Sequence, residues 1–480
     1  MYKRNKKAIA NRLTSTLLCL IGVYYSIPSR NVQAMGSSND HCLQSSENTN
    51  LITEHSLGLK ISRIPVGISE DTTHPSNYRN IFWSPDGSFF ARKLFIRPEQ
   101  KISIFQILDT ERHNIIIQFE IEGRIEEVAW SPDSQYLAFS VSIPDSRETR
   151  LQLLDLTTKQ NQQVVLEKSI ETISPGFGIK WSPDSQHFVV LDEFQYSRRG
   201  GNSLQLISLQ NSFARGSIIH NDTSVDGTVF TLAWSPDSQN IVVSYAGGRV
   251  VITNIARLNM ESDVALPVES DADYIYWTQN KTLILVSTTG IIVFDITNNE
   301  VTNLPLDLDI EAVLSRDQRY LVVRAYDSSA FAFNRSSATT KIFNLETNEL
   351  TFETPYGLSL ADLPWFRMVW SPDNQYLAIN DVDCGLYVYA VATGTLMFHN
   401  SFVEPNHSGP SAGFDWSPDG RYLAMSEEDG NFRIIDIAAQ REVALIEHGL
   451  AAYYVLWSPD GQRILMLDEY GELQMIELEK

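Results

Sequence analysis

Cysteine is nearly absent: Cys19, Cys42 and Cys384 are all that 480 residues contain, and no two stand at ligand spacing. That rules out a disulfide framework and any cysteine-based zinc module, leaving at most one bridge between Cys42 and Cys384. Histidine is sparse as well, nine residues with no two closer than eight positions, so the sequence offers no metal site and asks for no cofactor. Basic residues number 37 against 59 acidic ones, a formal charge of −22. Six of the basic residues (Lys3, Arg4, Lys6, Lys7, Arg12 and Arg30) fall within the first 34 positions, where there is no acid, so the remainder is more acidic still. Such a surface repels phosphate backbones and anionic lipid heads, which argues against nucleic acid as a partner and against membrane-surface docking.

Long apolar runs are missing too. The one candidate, Leu13 to Tyr25, is too short and too broken by Thr and Ser to span a bilayer. It follows the basic start and precedes Val32-Gln33-Ala34, the charged, apolar and small-residue order of a secretory signal peptide, with an uncleaved anchor as the alternative. Residues 1–34 therefore read as a signal peptide, 35–57 as a flexible lead-in rich in Ser, Asn and His, and 58–480 as the folded domain. The expectation is export to the periplasm, the cell envelope or the exterior, with no membrane insertion after cleavage.

What the chain has in abundance is one phrase. Trp-Ser-Pro-Asp begins at Trp83, Trp130, Trp181, Trp234, Trp370, Trp416 and Trp457, each time followed by a turn residue and an apolar run. Two degenerate copies fill the long gap, Trp277-Thr278-Gln279-Asn280 and Leu314-Ser315-Arg316-Asp317. Nine modules at a spacing of about 47 residues lie in the range of four-stranded propeller blades. The predicted fold is all-β, a β-propeller of nine blades, with eight blades and one displaced module as the alternative.

Each module repeats one grammar. A short run ending in Trp is strand A, and the Ser-Pro-Asp turn leads to strand B. Gly247-Gly248, Asp429-Gly430 and Tyr470-Gly471 mark hairpins into strand C. Strand C closes on pairs such as Leu108-Asp109, Leu154-Asp155 and Ile435-Asp436, and a polar turn follows into strand D. Turns at Ser134, Ser185 and Ser238 lack glycine, which implies a plain type I turn there or a strain of about 1 kcal/mol. The last module ends after strand C, and residues 58–68, with Leu59, Ile61, Ile64 and Val66, are placed to supply its fourth strand and close the ring.

On these residues the chain resembles the WD-repeat and TolB-like propeller families, whose blades share the Trp-Ser-Pro-Asp-Gly turn and this strand order. The resemblance covers roughly residues 58–480 and implies a propeller acting as a binding module. The Gly-His pair of regular WD repeats is not present, nor is an N-terminal α/β domain of the TolB kind.

Candidate chemistry is thin. Gly409-Pro410-Ser411-Ala412-Gly413 matches a nucleophile elbow, but Phe414-Asp415-Trp416 begins another blade at once, where a hydrolase would need a helix. The acid groups Asp192-Glu193, Asp381 with Asp383, Glu427-Glu428-Asp429 and Asp468-Glu469 fall in or beside strand B-to-C hairpins, where solvated turn residues are expected. The enzymatic alternative is a glycosidase-like or other hydrolase using paired carboxylates at the channel mouth. The chain is read instead as a non-catalytic scaffold for a protein partner. Its long insertions (142–150, 192–203, 221–228, 326–339, 353–365 and 400–412) all join strands D to A or B to C, and hence share one face of the ring. Trp365 alone among nine tryptophans lies outside the repeat, and is the expected anchor, with Tyr356, Tyr196, Arg198, Arg199, Phe402 and His407 as companions.

Overall fold

The computed structural model describes residues 52–53, 58–63, 81–97, 102–112, 114–143, 146, 148–166, 178–192, 202–210, 213–222, 229–257, 264–269, 272–287, 290–305, 309–326, 339–354, 368–381, 385–400, 413–426, 430–447, 452–468 and 473–479. These form nine sheets, antiparallel but for one short strand, and a single 3₁₀ turn at Ile255–Arg257. The nine-blade count holds. Both degenerate repeats build complete blades, at 274–305 and 309–354.

The N-terminal strands are β1 (Ile52–Thr53) and β2 (Gly58–Arg63). Blade 1 is β3 (Ile81–Trp83), β4 (Phe89–Arg97), β5 (Ile102–Asp109) and β6 (Asn114–Glu122). Blades 2 to 8 run within 124–163, 179–222, 229–269, 274–305, 309–354, 368–400 and 414–447, each with four consecutive strands in order. Blade 9 has only three strands of its own, Ala452–Trp457, Arg463–Asp468 and Leu473–Glu479. Its fourth is β2, antiparallel to the last of them from Gly58↔Glu479 to Arg63↔Gln474, with Lys60 Nζ 2.9 Å from Glu477. The closing strand expected from the sequence is thus in place. β1 lies parallel to Arg441–Glu447 and adds a fifth strand to blade 8, inside the segment read as a flexible lead-in.

The apolar side chains form nine clusters, one for each seam between neighbouring blades. Phe105, Ile107, Phe139 and Leu154 join blades 1 and 2, and Phe188, Val190, Leu151 and Val164 join blades 2 and 3. The ninth cluster packs Leu465, Leu473 and Met475 of the last blade on Phe90 and Leu108 of the first, which closes the ring. The buried seams explain the strand pattern. Middle strands facing a blade on each side carry continuous apolar runs, as in Leu283–Val286, whereas outer strands alternate, as in β6.

The repeated phrase is a machine for making one turn. In eight blades the serine hydroxyl donates to the aspartate two residues on, from Ser84 to Asp86 at 2.6 Å through Ser458 to Asp460 at 2.6 Å. That hydroxyl also accepts the first amide of strand B, and the aspartate accepts the amide two residues further. Leu314-Ser315-Arg316-Asp317 keeps the two residues that matter, so its turn survives without Trp or Pro.

The residue after the aspartate, or after Asn280 in blade 5, takes the left-handed conformation in all nine turns. It is glycine at Gly87, Gly420 and Gly461, and elsewhere Ser134, Ser185, Ser238, Lys281, Gln318 and Asn374, with φ between 59° and 63°. The serine turns are therefore the strained kind, not plain type I. The strain is offset across the seam. Ser134 Oγ accepts the Asp86 amide at 3.1 Å, Ser185 Oγ that of Asp133 at 3.0 Å, and Ser238 Oγ that of Asp184 at 3.0 Å. Gln318 and Asn374 make the same bridge to Gln279 and Arg316.

Candidate functional site

Strand A of every blade is an edge strand, and its outward carbonyls need partners. Five of the repeat tryptophans provide them. The indole N–H of Trp130 donates to Phe82 O at 3.2 Å, that of Trp181 to Ala129 O at 3.0 Å, and that of Trp234 to Lys180 O at 3.0 Å. Trp370 and Trp416 repeat the bond to Val313 and Val369. Lys180 Nζ donates to Leu232 O at 3.0 Å and Tyr276 Oη to Ala312 O at 2.8 Å. Burial lowers the Lys180 amine to about 8. On Asp237 a hydrogen bond from Ser235 leads the causes that hold the carboxyl below its usual range. On Asp86 burial pushes the carboxyl upward, but bonds from Ser84 and Ser88 prevail and hold it low. These charged groups are committed to the turns and seams.

The A-to-B and C-to-D turns therefore share one face, tight except for the C-to-D connection of blade 4 at 255–263, and the D-to-A and B-to-C connections leave from the other. Trp365, Tyr356, Tyr196, Arg198, Arg199, Phe402 and His407 all lie outside the described residues, but the strands carrying them are defined. Tyr196, Arg198 and Arg199 belong to the B-to-C connection of blade 3. Tyr356 and Trp365 sit between blades 6 and 7, and Phe402 and His407 between blades 7 and 8. All three connections leave the loop-bearing face. They fall into two groups on distant arcs of the ring, one on blade 3 and one about blade 7.

Blade 4, beside the first group, adds two residues that sequence reasoning passed over. Its Gly247-Gly248 hairpin is tight, and the Arg249 guanidinium lies 4.3 Å above the Tyr245 ring. Phe230 is displaced by an irregularity in the inner strand and is 39% exposed. The signal was present in Val229-Phe230, two large apolar residues in succession at the start of strand A.

Among the described residues no group of three or more His, Cys, Asp or Glu could hold a metal. Ser411, Cys42, Cys384 and the side chains of Asp192, Glu193, Asp381, Asp383, Glu427, Glu428, Asp429, Asp468 and Glu469 lie outside them. His187 is lowered by burial and spends Nδ1 on Ser208 Oγ at 2.9 Å, against the Trp234 ring. No described helix is long and apolar enough to cross a membrane.

The WD domain, G-beta repeat family model matches residues 400–436, which take in the first three strands of blade 8. No curated protein sequence matches the chain. Among solved structures, a eukaryotic initiation factor is 13% identical with a TM-score of 0.52, covering 78% of this chain and 93% of its own. The C-terminal WD40 domain of Sif2 is 14% identical with a TM-score of 0.44, covering 75% and 97%. Chaetomium thermophilum Sqt1, bound to the N-terminus of the ribosomal protein L10, is 13% identical with a TM-score of 0.46, covering 74% and 97%.

Proposed function

We propose that this nine-bladed propeller of WD-repeat type is an exported, non-catalytic scaffold that holds a protein partner on its loop-bearing face. The observation that carries the reading is the asymmetry of the ring. On one face short turns consume their own polar groups and those of the neighbouring blade. Long connections, all but the C-to-D connection of blade 4 at 255–263, leave the other face, where exposed Phe230 and the Arg249–Tyr245 pair also sit. Export rests on the charged, apolar and small-residue order of the first 34 positions. A partner that is neutral or basic suits the overall charge of −22.

The test uses the mature chain as bait in the native envelope or medium, with N-terminal sequencing of the exported protein expected to begin near Met35. Trp365→Ala and Phe230→Ala are each expected to weaken capture by about 1 to 2 kcal/mol with little change in Tm. Arg112→Glu, on the turn face, is the control that leaves capture intact. Capture lost with the control and kept with both loop-face variants would overturn the reading.

A further inference from the structure

Three ordinarily charged side chains are buried among the described Asp, Glu, Lys and Arg residues: Asp436, Glu442 and Arg92. The first two are paired, Asp436 with Arg421 at 2.9 Å and Glu442 with Arg433. Arg92 is 4% exposed, and its Nε and Nη2 have no hydrogen-bond partner. It stands on β4 opposite Ile81 and Gln106, two residues beyond Phe90, and so faces the seam between blades 9 and 1. The same place in the other eight blades holds an apolar side chain, from Phe139 in blade 2 to Met425 and Met466 in blades 8 and 9. Nothing in the repeat requires an arginine there.

Nε and Nη2 form one edge of the guanidinium, the fork that grips a planar two-oxygen anion through parallel hydrogen bonds. Beside it, the buried Gln106 Oε1 is also without a partner, while Gln106 Nε2 donates to Gln118 Oε1 at 2.7 Å. Amide oxygen and nitrogen are interchangeable by rotation. Turning both amides keeps the bond between the glutamines and frees Gln106 Nε2, on the residue paired with Arg92, as a third donor. The described charged groups on the facing side of blade 9 are engaged elsewhere, Glu477 with Lys60 and Arg463 with Asp460 and Thr110. Burial lowers Arg92 to about 10, the signature of a charge with no counterion.

We propose that the seam between the last and first blades is a binding site for a small free carboxylate, held by the Arg92 fork and Gln106. The ligand is small because the guanidinium is almost wholly enclosed, and planar because the free donors lie along one edge. Its binding neutralises the one unpaired buried charge among the described residues and fastens the seam that closes the ring.

Thermal unfolding of the full mature chain tests this, with sodium formate against sodium chloride at equal ionic strength. Formate is expected to raise Tm above the chloride control by about 2 °C or more between roughly 1 and 100 mM, following the logarithm of concentration. Acetate should act more weakly, and glutamate not at all, whereas a site for the side-chain carboxylate of a partner would accept glutamate equally. Arg92→Met, the residue of blades 8 and 9, should fold and lose the difference between formate and chloride. Arg92→Lys keeps the charge without the fork and should lose most of it. Equal curves in formate and chloride for the unaltered chain overturn the proposal whether or not the variants fold, as does a formate effect that persists in Arg92→Met, or one that glutamate matches.

Discussion

At the scale of single residues, the turn after strand A shows how a strained backbone is retained for a bond made elsewhere. Ser185 has φ of 61°, a conformation that costs a residue with a Cβ about 1 kcal/mol or more, yet its hydroxyl accepts the amide of Asp133 in the preceding blade. Such a hydrogen bond is worth about 1 kcal/mol net. The two nearly balance. Ser185→Gly should therefore change stability by less than about 0.5 kcal/mol, losing both strain and bond, while Ser185→Ala keeps the strain, loses the bond and falls by about 1 to 2 kcal/mol. Urea denaturation of the two variants checks the order. Alanine at least as stable as glycine would show that the cross-blade bond contributes nothing. The same logic separates the glycines. A Cβ at Gly420 would stand 2.5 Å from Asp373 Cγ, so that turn has no room for a side chain, whereas at Gly461 the nearest atom is 3.6 Å away.

At the scale of elements, the two N-terminal strands do different work. β2 covers the open edge of the last strand of blade 9 along six paired positions, and β1 adds two to the edge of blade 8. Deleting residues 35–57 should leave Tm within about 1 to 2 °C of the full chain, since only the short pairing is lost. Deleting 35–63 exposes the edge Leu473–Glu479 and should lower Tm and induce aggregation, read by light scattering. A monomeric second deletion with unchanged Tm would show that ring closure does not depend on β2. This element was legible because Leu59 and Ile61 alternate ahead of the first repeat and the last repeat is one strand short. β1 was not, because two residues carry no periodicity. The blades were legible down to the degenerate copies because Ser-Pro-Asp is a local device, one hydroxyl and one carboxylate satisfying the amides that follow. Arg92 was invisible because sequence spacing does not say which face of a middle strand meets which neighbour. The loop-face candidates were nominated only by their place between strands, and topology divides them between two arcs of the ring, a separation that repeat order holds but that a reading by face alone passes over.

At the scale of the whole molecule, a nine-membered ring is as strong as its weakest seam, and the seams are not alike. Between blades 1 and 2, 2 and 3, and 3 and 4 an indole bond and a serine bond both cross. Blade 9 has neither kind on either side. The indole nitrogens of Trp457 and Trp83 are buried without partners, and the turn residues are Gly461 and Gly87. Between blades 8 and 9 the Trp457 amide donates to Asp415 Oδ2 at 2.8 Å, and between 9 and 1 Arg463 reaches Thr110 Oγ1 at 3.1 Å. The seam of blades 9 and 1 also buries the unpaired Arg92 guanidinium; like the other seams it is crossed by a D-to-A connection, here from β2 to β3. Local opening starts where the fewest bonds are lost. In carboxylate-free buffer, native-state hydrogen exchange should therefore show β3 and Ala452–Trp457 opening more readily than Arg124–Trp130 and Ile179–Trp181, by about tenfold for a deficit of one to two bonds at about 1 kcal/mol each. Equal protection around the ring, or first opening between blades 2 and 3, would mean that the apolar clusters alone set seam strength and that the hydrogen bonds between blades specify register without adding stability.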